Sequence, residues 1–87
     1  MFQVDLDKKA QKQLDKIKTN SRLLAKFLEI ITDITQNPYS PKFKFERLKG
    51  NFSGYCSKRL DQKNRVIYKV VDQKVIVLVI SILGHYE

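Results

Sequence analysis

The run from Val75 to Leu83 is apolar at every position except Ser81. It is too short to cross a bilayer as a helix, so the fold must bury it. A short apolar run that ends at a turn residue, here Gly84, is typical of a central strand covered on both sides. The rest of the chain therefore has to supply a sheet around this strand.

Two further strands are expected before this run, because short polar turns at 61–64 and 72–74 separate alternating segments. Alternation assigns their side chains to faces: Tyr55, Ser57 and Arg59 oppose Cys56, Lys58 and Leu60, while Arg65, Ile67, Lys69 and Val71 oppose Val66, Tyr68 and Val70.

The expected register brings distant residues together. Pairing 60 with 65, or 59 with 66, makes Arg59 and Arg65 near neighbours, although a one-residue slip decides whether they share a face. Pairing 71 with 75 places residue 65 level with 81, so His85 follows just beyond the same end of the sheet. Convergence of these groups with Glu46 is feasible, but the sequence does not force it.

The N-terminal half reads as one strand and two helices. Alternating Phe2, Val4 and Leu6 predict a short strand, and Asp7 is a plausible N-cap of the first helix. The apolar positions of the two helices recur at helical spacing: Ala10, Leu14 and Ile17, then Leu23, Leu24, Phe27, Leu28, Ile30, Ile31 and Ile34. We expect Ser21 to cap the second helix and Asn37-Pro38 to end it.

A long connection follows at 38–53, where Phe43 and Phe45 alternate with lysines and suggest a short strand. Gly50 and Gly54 mark turns within or after it. The element order predicts an α+β fold: two N-terminal helices packed on one face of a curled, mainly antiparallel sheet of four or five strands. The other face is then left for function, and residues 1–87 form one domain.

Composition bounds the partners. Lys and Arg number 17 against 9 acidic residues, a net charge of +8 that predicts a polyanionic partner. With one cysteine, Cys56, no internal disulfide can form, and the N-terminus lacks the pattern of a signal peptide. We therefore expect a cytoplasmic protein without membrane association.

Glu46, His85 and the cations Lys49, Arg59 and Arg65 are the parts needed to cut RNA without a metal. A carboxylate can act as base, an imidazole as acid, and the cations can hold a phosphate. Taken singly, each has an ordinary structural explanation as a solvated or tail residue. One histidine and one cysteine supply no recognisable metal-ligand set, so no metal or other cofactor is expected.

The spacing of these residues resembles the YoeB branch of the RelE-like toxins, from bacterial type II toxin–antitoxin modules. The resemblance rests on Glu46-x-Leu48-Lys49-x-Asn51-x-Ser53-Gly54-Tyr55-x-Ser57-x-Arg59, Arg65-Val66-Ile67-Tyr68 and His85-Tyr86. Phe43-Lys44-Phe45, Asn64, Gly84 and the extra Glu87 depart from the usual pattern of these toxins.

The resemblance implies a ribosome-dependent endoribonuclease that cleaves mRNA in the A site. Glu46 is then the general base, Arg65 stabilises the phosphate charge, and His85 is the general acid. Tyr86 places the leaving group or a base, and Lys49 and Arg59 hold RNA. It also implies a cognate antitoxin, contact of the toxin–antitoxin complex with operator DNA, and the homodimers that such toxins can form.

Two other functions fit parts of the sequence. A ParE-like toxin shares the fold but inhibits a topoisomerase, and it does not need Glu46, Arg65 and His85. A non-catalytic basic module that binds RNA or DNA needs the positive charge but tolerates loss of Glu46 and His85.

Overall fold

A computed structural model of the chain describes the backbone of residues 1–81 and the side chains of residues 1–76. The elements along it are β1 (Gln3–Leu6), α1 (Lys8–Ile17), α2 (Ser21–Gln36), β2 (Glu46–Arg47), a 3₁₀ helix (Gly50–Phe52), β3 (Cys56–Arg59), β4 (Arg65–Val71) and β5 (Lys74–Ser81). None of the helices in this part of the chain is long and apolar enough to cross a membrane.

The strands form one five-stranded sheet in the order β1-β5-β4-β3-β2. The pairs from β2 to β5 are antiparallel, and β1 pairs with β5 in parallel, with Val4 beside Val75. The α+β prediction is confirmed, and β5 lies inside the sheet with a neighbour on each edge. Val75 is fully buried; Ile82 and Leu83 of the predicted strand lie outside the described residues.

A side chain that accepts a hydrogen bond from the first turn marks the start of each helix. Asp7 accepts a hydrogen bond from the N–H of Ala10 at 2.9 Å, which confirms it as the N-cap of α1. The expectation for Ser21 is wrong: Asn20 caps α2 by accepting from the N–H of Leu23 at 3.1 Å. Asn20 has the extended backbone that an N-cap needs, whereas Ser21 is already helical.

Both helices pack on one face of the sheet, which we call the helical face. Its buried core joins Ala10, Ile17, Phe27, Ile30 and Ile34 of the helices to Cys56, Leu60, Val66, Tyr68 and Val75 of the sheet region. The opposite face carries Glu46 and the residues level with it, and we call it the Glu46 face. Alternation had predicted this division of β3 and β4 correctly.

The β3–β4 turn fixes the register. Asp61 closes it, since one carboxylate oxygen accepts from the backbone N–H groups of Lys63 and Asn64 at 2.8 and 2.7 Å. Arg59 therefore pairs with Arg65, a register one residue tighter than the single register that pairs 60 with 65 and 59 with 66. Residues directly opposite in an antiparallel pair share a face, so both arginines lie on the Glu46 face.

The β4–β5 turn is also tighter than expected, because Val71 pairs with Lys74 rather than with residue 75. A β-bulge opposite Ile67 and Tyr68 then shifts the register by one residue. The two differences cancel, and Arg65 lies level with Ser81 as predicted.

The connection before β2 is fastened to the helical face of the sheet by two buried side chains. Tyr68 donates its hydroxyl hydrogen to the carbonyl of Pro38 at 2.6 Å, and burial raises the pKa of that phenol. The Lys58 ammonium donates to the carbonyls of Ser40 and Lys42, each at 2.8 Å. The course of this connection is thus set by the sheet that follows it.

Lys58 is fully buried, and its charge is compensated locally. Its ammonium lies 3.2 Å from the carboxylate of Asp33 on α2, which also accepts a hydrogen bond from the Ser40 hydroxyl. Burial lowers the pKa of the Lys58 ammonium, while the hydrogen bond and charge of Asp33 act in the opposite direction. The ammonium also lies 5.0 Å from the centre of the Phe45 ring.

The predicted strand at Phe43–Phe45 is wrong. Phe43 and Lys44 have φ angles of 59° and 52°, in the left-handed region where a strand cannot continue. The strand begins at Glu46 instead. The alternating pattern arose because Phe43 and Phe45 both pack against the core while this turn brings the chain back to the sheet.

We predict that replacing Lys58 by Met destabilises the fold by about 3 kcal/mol, because the Asp33 charge and two loop carbonyls lose their shared partner. Chemical denaturation of the purified variant measures the change. Lys63→Met is the matched control: it removes the same charge from an exposed turn position, and we expect an effect within about 0.5 kcal/mol. Equal unfolding midpoints for the two variants would contradict this role of Lys58.

Candidate active site

Glu46 lies on the Glu46 face because the next residue, Arg47, is held on the helical face. Arg47 pairs with buried Cys56, and its guanidinium lies 4.6 Å from the centre of the Tyr39 ring and 5.9 Å from that of Phe45. Successive strand residues point to opposite faces. Because Arg47 is anchored on the helical face, the Glu46 side chain points away from the helices.

Four residues line up across three strands of this face. Glu46 on β2 pairs with Ser57 on β3, and Arg59 on β3 pairs with Arg65 on β4. Ser57 and Arg59 are two residues apart and so share the face as well. The structure thus brings together three predicted site residues, Glu46, Arg59 and Arg65.

Glu46 and Arg65 form an ion pair, in which Nη1 of Arg65 donates to Oε1 of Glu46 at 2.9 Å. The Arg65 side chain is 22% exposed and that of Glu46 is 56% exposed. An ion pair this open to solvent contributes at most about 1 kcal/mol to folding. Both groups therefore remain available to a charged ligand.

Lys49 follows β2 and is exposed at the start of the 3₁₀ helix. Gly50, next to it, has a φ of 65° with open space around it, so its backbone conformation rather than steric crowding requires glycine. Arg59 lines a groove of about 280 Å³ together with Lys26 and Lys44, with Asp61 as the one acidic residue among its described lining residues. These cations extend the positive charge of the site toward α2.

Ser57 is the residue of this face that sequence reasoning missed. It is fully buried, and among the described residues its hydroxyl oxygen has no hydrogen-bond partner. Leaving a buried hydroxyl unpaired costs about 1–3 kcal/mol. The available signal was its position two residues before Arg59, on the same side of the alternating strand.

His85 and Tyr86, the predicted acid and its neighbour, lie outside the described residues. The backbone that leads toward them is described as far as Ser81, which pairs with Arg65. Their roles therefore remain predictions from the sequence.

Cys56 is not a nucleophile candidate, because burial raises the pKa of its thiol and keeps it protonated. It lies on the helical face within the core. Within residues 1–76 there is also no group of three His, Cys, Asp or Glu side chains that could hold a metal ion.

The Glu46 face can accept a proton at one point and hold an anion close by. A carboxylate and a guanidinium in contact provide a base beside a phosphate-binding cation. This pairing suits a phosphodiester whose own hydroxyl is the nucleophile, since such a group needs both at once.

Comparison with known proteins assigns the family. The sequence model described as "YoeB-like toxin of bacterial type II toxin-antitoxin system" matches residues 7–86. Toxin YoeB of Escherichia coli O6:H1 is 37% identical over 59 residues, which span 68% of this chain and 70% of that toxin. Toxin YoeB of a Synechocystis strain is 34% identical over 68 residues, spanning 78% and 77% of the two chains.

Solved structures share the fold over nearly the whole length. A YoeB/ParE toxin from Agrobacterium tumefaciens superposes with a TM-score of 0.86 at 23% identity, covering 98% of this chain and 100% of that one. The toxin of a YoeB–YefM toxin–antitoxin complex from Staphylococcus aureus superposes with a TM-score of 0.83 at 24% identity, covering 99% of each chain. A YoeB dimer from the same organism matches with a TM-score of 0.83 and 98% coverage of each chain.

The matched family model and the curated relatives agree on one family, and the solved structures share its fold. The chain belongs to the YoeB-like toxins of bacterial type II toxin–antitoxin systems.

Proposed function

We propose that this toxin is an endoribonuclease that cleaves mRNA in the ribosomal A site and thereby stops translation. The observation that carries the proposal is the 2.9 Å contact between Glu46 and Arg65 on the Glu46 face. Membership of the YoeB-like toxins supports it.

The reaction uses the ribose 2′-OH of the substrate as its nucleophile. Glu46 takes the 2′-OH proton, the 2′ oxygen attacks the adjacent phosphorus, and the bond from phosphorus to the 5′ oxygen breaks. His85 donates a proton to the departing 5′ oxygen, and Tyr86 helps to place that group. The products are a 2′,3′-cyclic phosphate and a 5′-hydroxyl end.

The cations have separate tasks in this proposal. Arg65 exchanges its bond with Glu46 for one with the scissile phosphate, where it stabilises the charge that builds up during attack. Lys49 and Arg59 hold neighbouring phosphates of mRNA or ribosomal RNA. Positioning of the codon by the ribosome, rather than a base-specific pocket, selects the bond that is cut.

The topoisomerase-inhibiting and purely RNA-binding alternatives do not use a base beside a phosphate-binding cation. For either function, exchanging the Glu46 carboxylate for an amide changes little. The same variant therefore separates nuclease activity from both alternatives.

We predict that Glu46→Gln lowers mRNA cleavage on translating ribosomes by about 10²- to 10⁴-fold, the usual contribution of a positioned base. His85→Gln is expected to lose cleavage as well, and both variants are expected to keep binding ribosomes. Cleavage is followed by mapping mRNA ends, and binding by co-sedimentation.

The matched control is Glu29→Gln, the same change at an exposed site on α2, which should cleave like the wild type. Full activity of Glu46→Gln would remove Glu46 as the base. A wild-type protein that binds ribosomes without cutting mRNA would favour the RNA-binding alternative, and inhibition of a topoisomerase would favour the ParE-like one.

We also propose a cognate antitoxin whose acidic segment covers the basic surface. The net charge of +8 motivates this, and the Staphylococcus aureus relative is found in complex with YefM. Dimerisation, as in that relative's YoeB dimer, and operator binding by the toxin–antitoxin complex belong to the same proposal.

We expect the small protein encoded beside the toxin gene to co-purify with the toxin and to suppress its cleavage of mRNA. Their association should weaken as salt rises, since screening reduces attraction between exposed charges. Size-exclusion chromatography of the mixture tests this. Separate elution at low salt would contradict an electrostatic antitoxin partner.

A further inference from the structure

Ser57 lies at the centre of the Glu46 face. It pairs with Glu46 on one side and with Ile67 on the other, so it occupies the strand between β2 and β4. Its hydroxyl oxygen is buried and has no hydrogen-bond partner among the described residues. The buried hydroxyl groups of folded proteins normally have such partners, and an exception calls for an explanation.

The Glu46–Arg65 ion pair spans the strand that carries Ser57. Glu46 and Arg65 lie on β2 and β4, whose backbones are separated by about 10 Å because β3 runs between them. Their charged groups are nevertheless 2.9 Å apart. The two side chains must therefore lean toward each other across β3, beside Ser57.

A substrate has to occupy the space above β3 that the Glu46–Arg65 ion pair spans. If Glu46 takes the 2′-OH proton while Arg65 holds the phosphate, the reacting ribose–phosphate unit bridges the two residues across β3. Binding then separates the ion pair, and the Ser57 hydroxyl, level with Glu46, faces that unit from β3 together with Arg59, which is level with Arg65. A hydroxyl can donate to a phosphate oxygen, and donors to a charged acceptor form the stronger hydrogen bonds.

We propose that Ser57 is a further substrate-binding residue, whose hydroxyl donates to a non-bridging oxygen of the scissile phosphodiester once the phosphate has displaced Glu46 from Arg65. This inference rests on the proposed nuclease function and adds a hydrogen-bond donor to it. Without substrate, Glu46 and Arg65 form their ion pair. The Ser57 hydroxyl then lies beneath that pair without a hydrogen-bond partner among the described residues.

The test compares Ser57→Ala, Ser57→Thr and the wild type in the ribosome cleavage assay. Loss of one hydrogen bond to a charged oxygen should lower kcat by roughly 10- to 100-fold in Ser57→Ala, with KM changed less. Ser57→Thr retains a hydroxyl and should be closer to the wild type. Ser21→Ala, at an exposed serine on α2, is the matched control and should keep full activity.

Thermal unfolding separates this role from a structural one. Because the hydroxyl has no partner within the described residues, Ser57→Ala should melt at the wild-type temperature or above it. Should it melt well below, Ser57→Cys, of nearly the same size and with a weaker donor, takes its place in the cleavage assay. Wild-type kcat in the folded variant overturns the proposal.

Failure of the two proposals can be told apart. If Glu46→Gln is inactive while Ser57→Ala cleaves normally, only the role of Ser57 is lost. If the wild type does not cleave at all, binding of a short RNA that carries one 2′-deoxynucleotide is measured instead. Weaker binding by Ser57→Ala than by Ser21→Ala then supports the contact, and equal binding overturns it.

Discussion

The buried ammonium of Lys58 is the interaction on which the geometry of the site most depends. It joins three separate parts of the chain: α2 through Asp33, the connection before β2 through Ser40 and Lys42, and the sheet through its own strand. That connection contains a left-handed turn at Phe43 and Lys44 and has few regular hydrogen bonds of its own. Together with the Tyr68 hydroxyl on Pro38 and the Arg59 N–H on the carbonyl of Phe43, the ammonium fixes where β2 begins, and Glu46 is the first residue of that strand.

The side chains that hold the fold in place and those proposed to act on a substrate lie on opposite faces of the sheet. Lys58, Arg47 and Tyr68 use their polar groups on the helical face, where they hold the connection and β2 in place. Alternation then leaves Glu46, Ser57 and Arg65 on the opposite face, where the Glu46–Arg65 ion pair is partly open to solvent. A rigid support on one face and exchangeable charges on the other is the arrangement that a preorganised site requires.

Much of this fold follows from local patterns. Period-two alternation predicted the faces of β3 and β4. Asp7 was recognisable as an N-cap because it directly precedes a segment with helical spacing. The parallel pairing of β1 with β5 was not predictable in the same way, since it joins segments far apart in sequence. The level of Arg65 and Ser81 was predicted although the turn was tighter than expected, because the β-bulge restored the register.

The site was predicted less completely, for physical reasons. Charged residues such as Glu46 and Arg65 stand out in a sequence, and tertiary pairing then decides whether they meet. Lys58 looked like one more surface lysine, because its burial depends on carbonyl groups that only the folded connection presents. Ser57 carries no charge, and only the folded structure shows that its hydroxyl has no hydrogen-bond partner among the described residues.

The central claim is that a base and a phosphate-binding cation on one face direct the substrate's own hydroxyl against its phosphate. The most direct test is cleavage of an mRNA that carries a single 2′-deoxynucleotide on the 5′ side of the bond cut in the unmodified message. We predict that cutting at this bond is lost, while binding of the toxin to the ribosome is retained. Continued cutting at the modified position would contradict the account, because the nucleophile would then have to come from elsewhere.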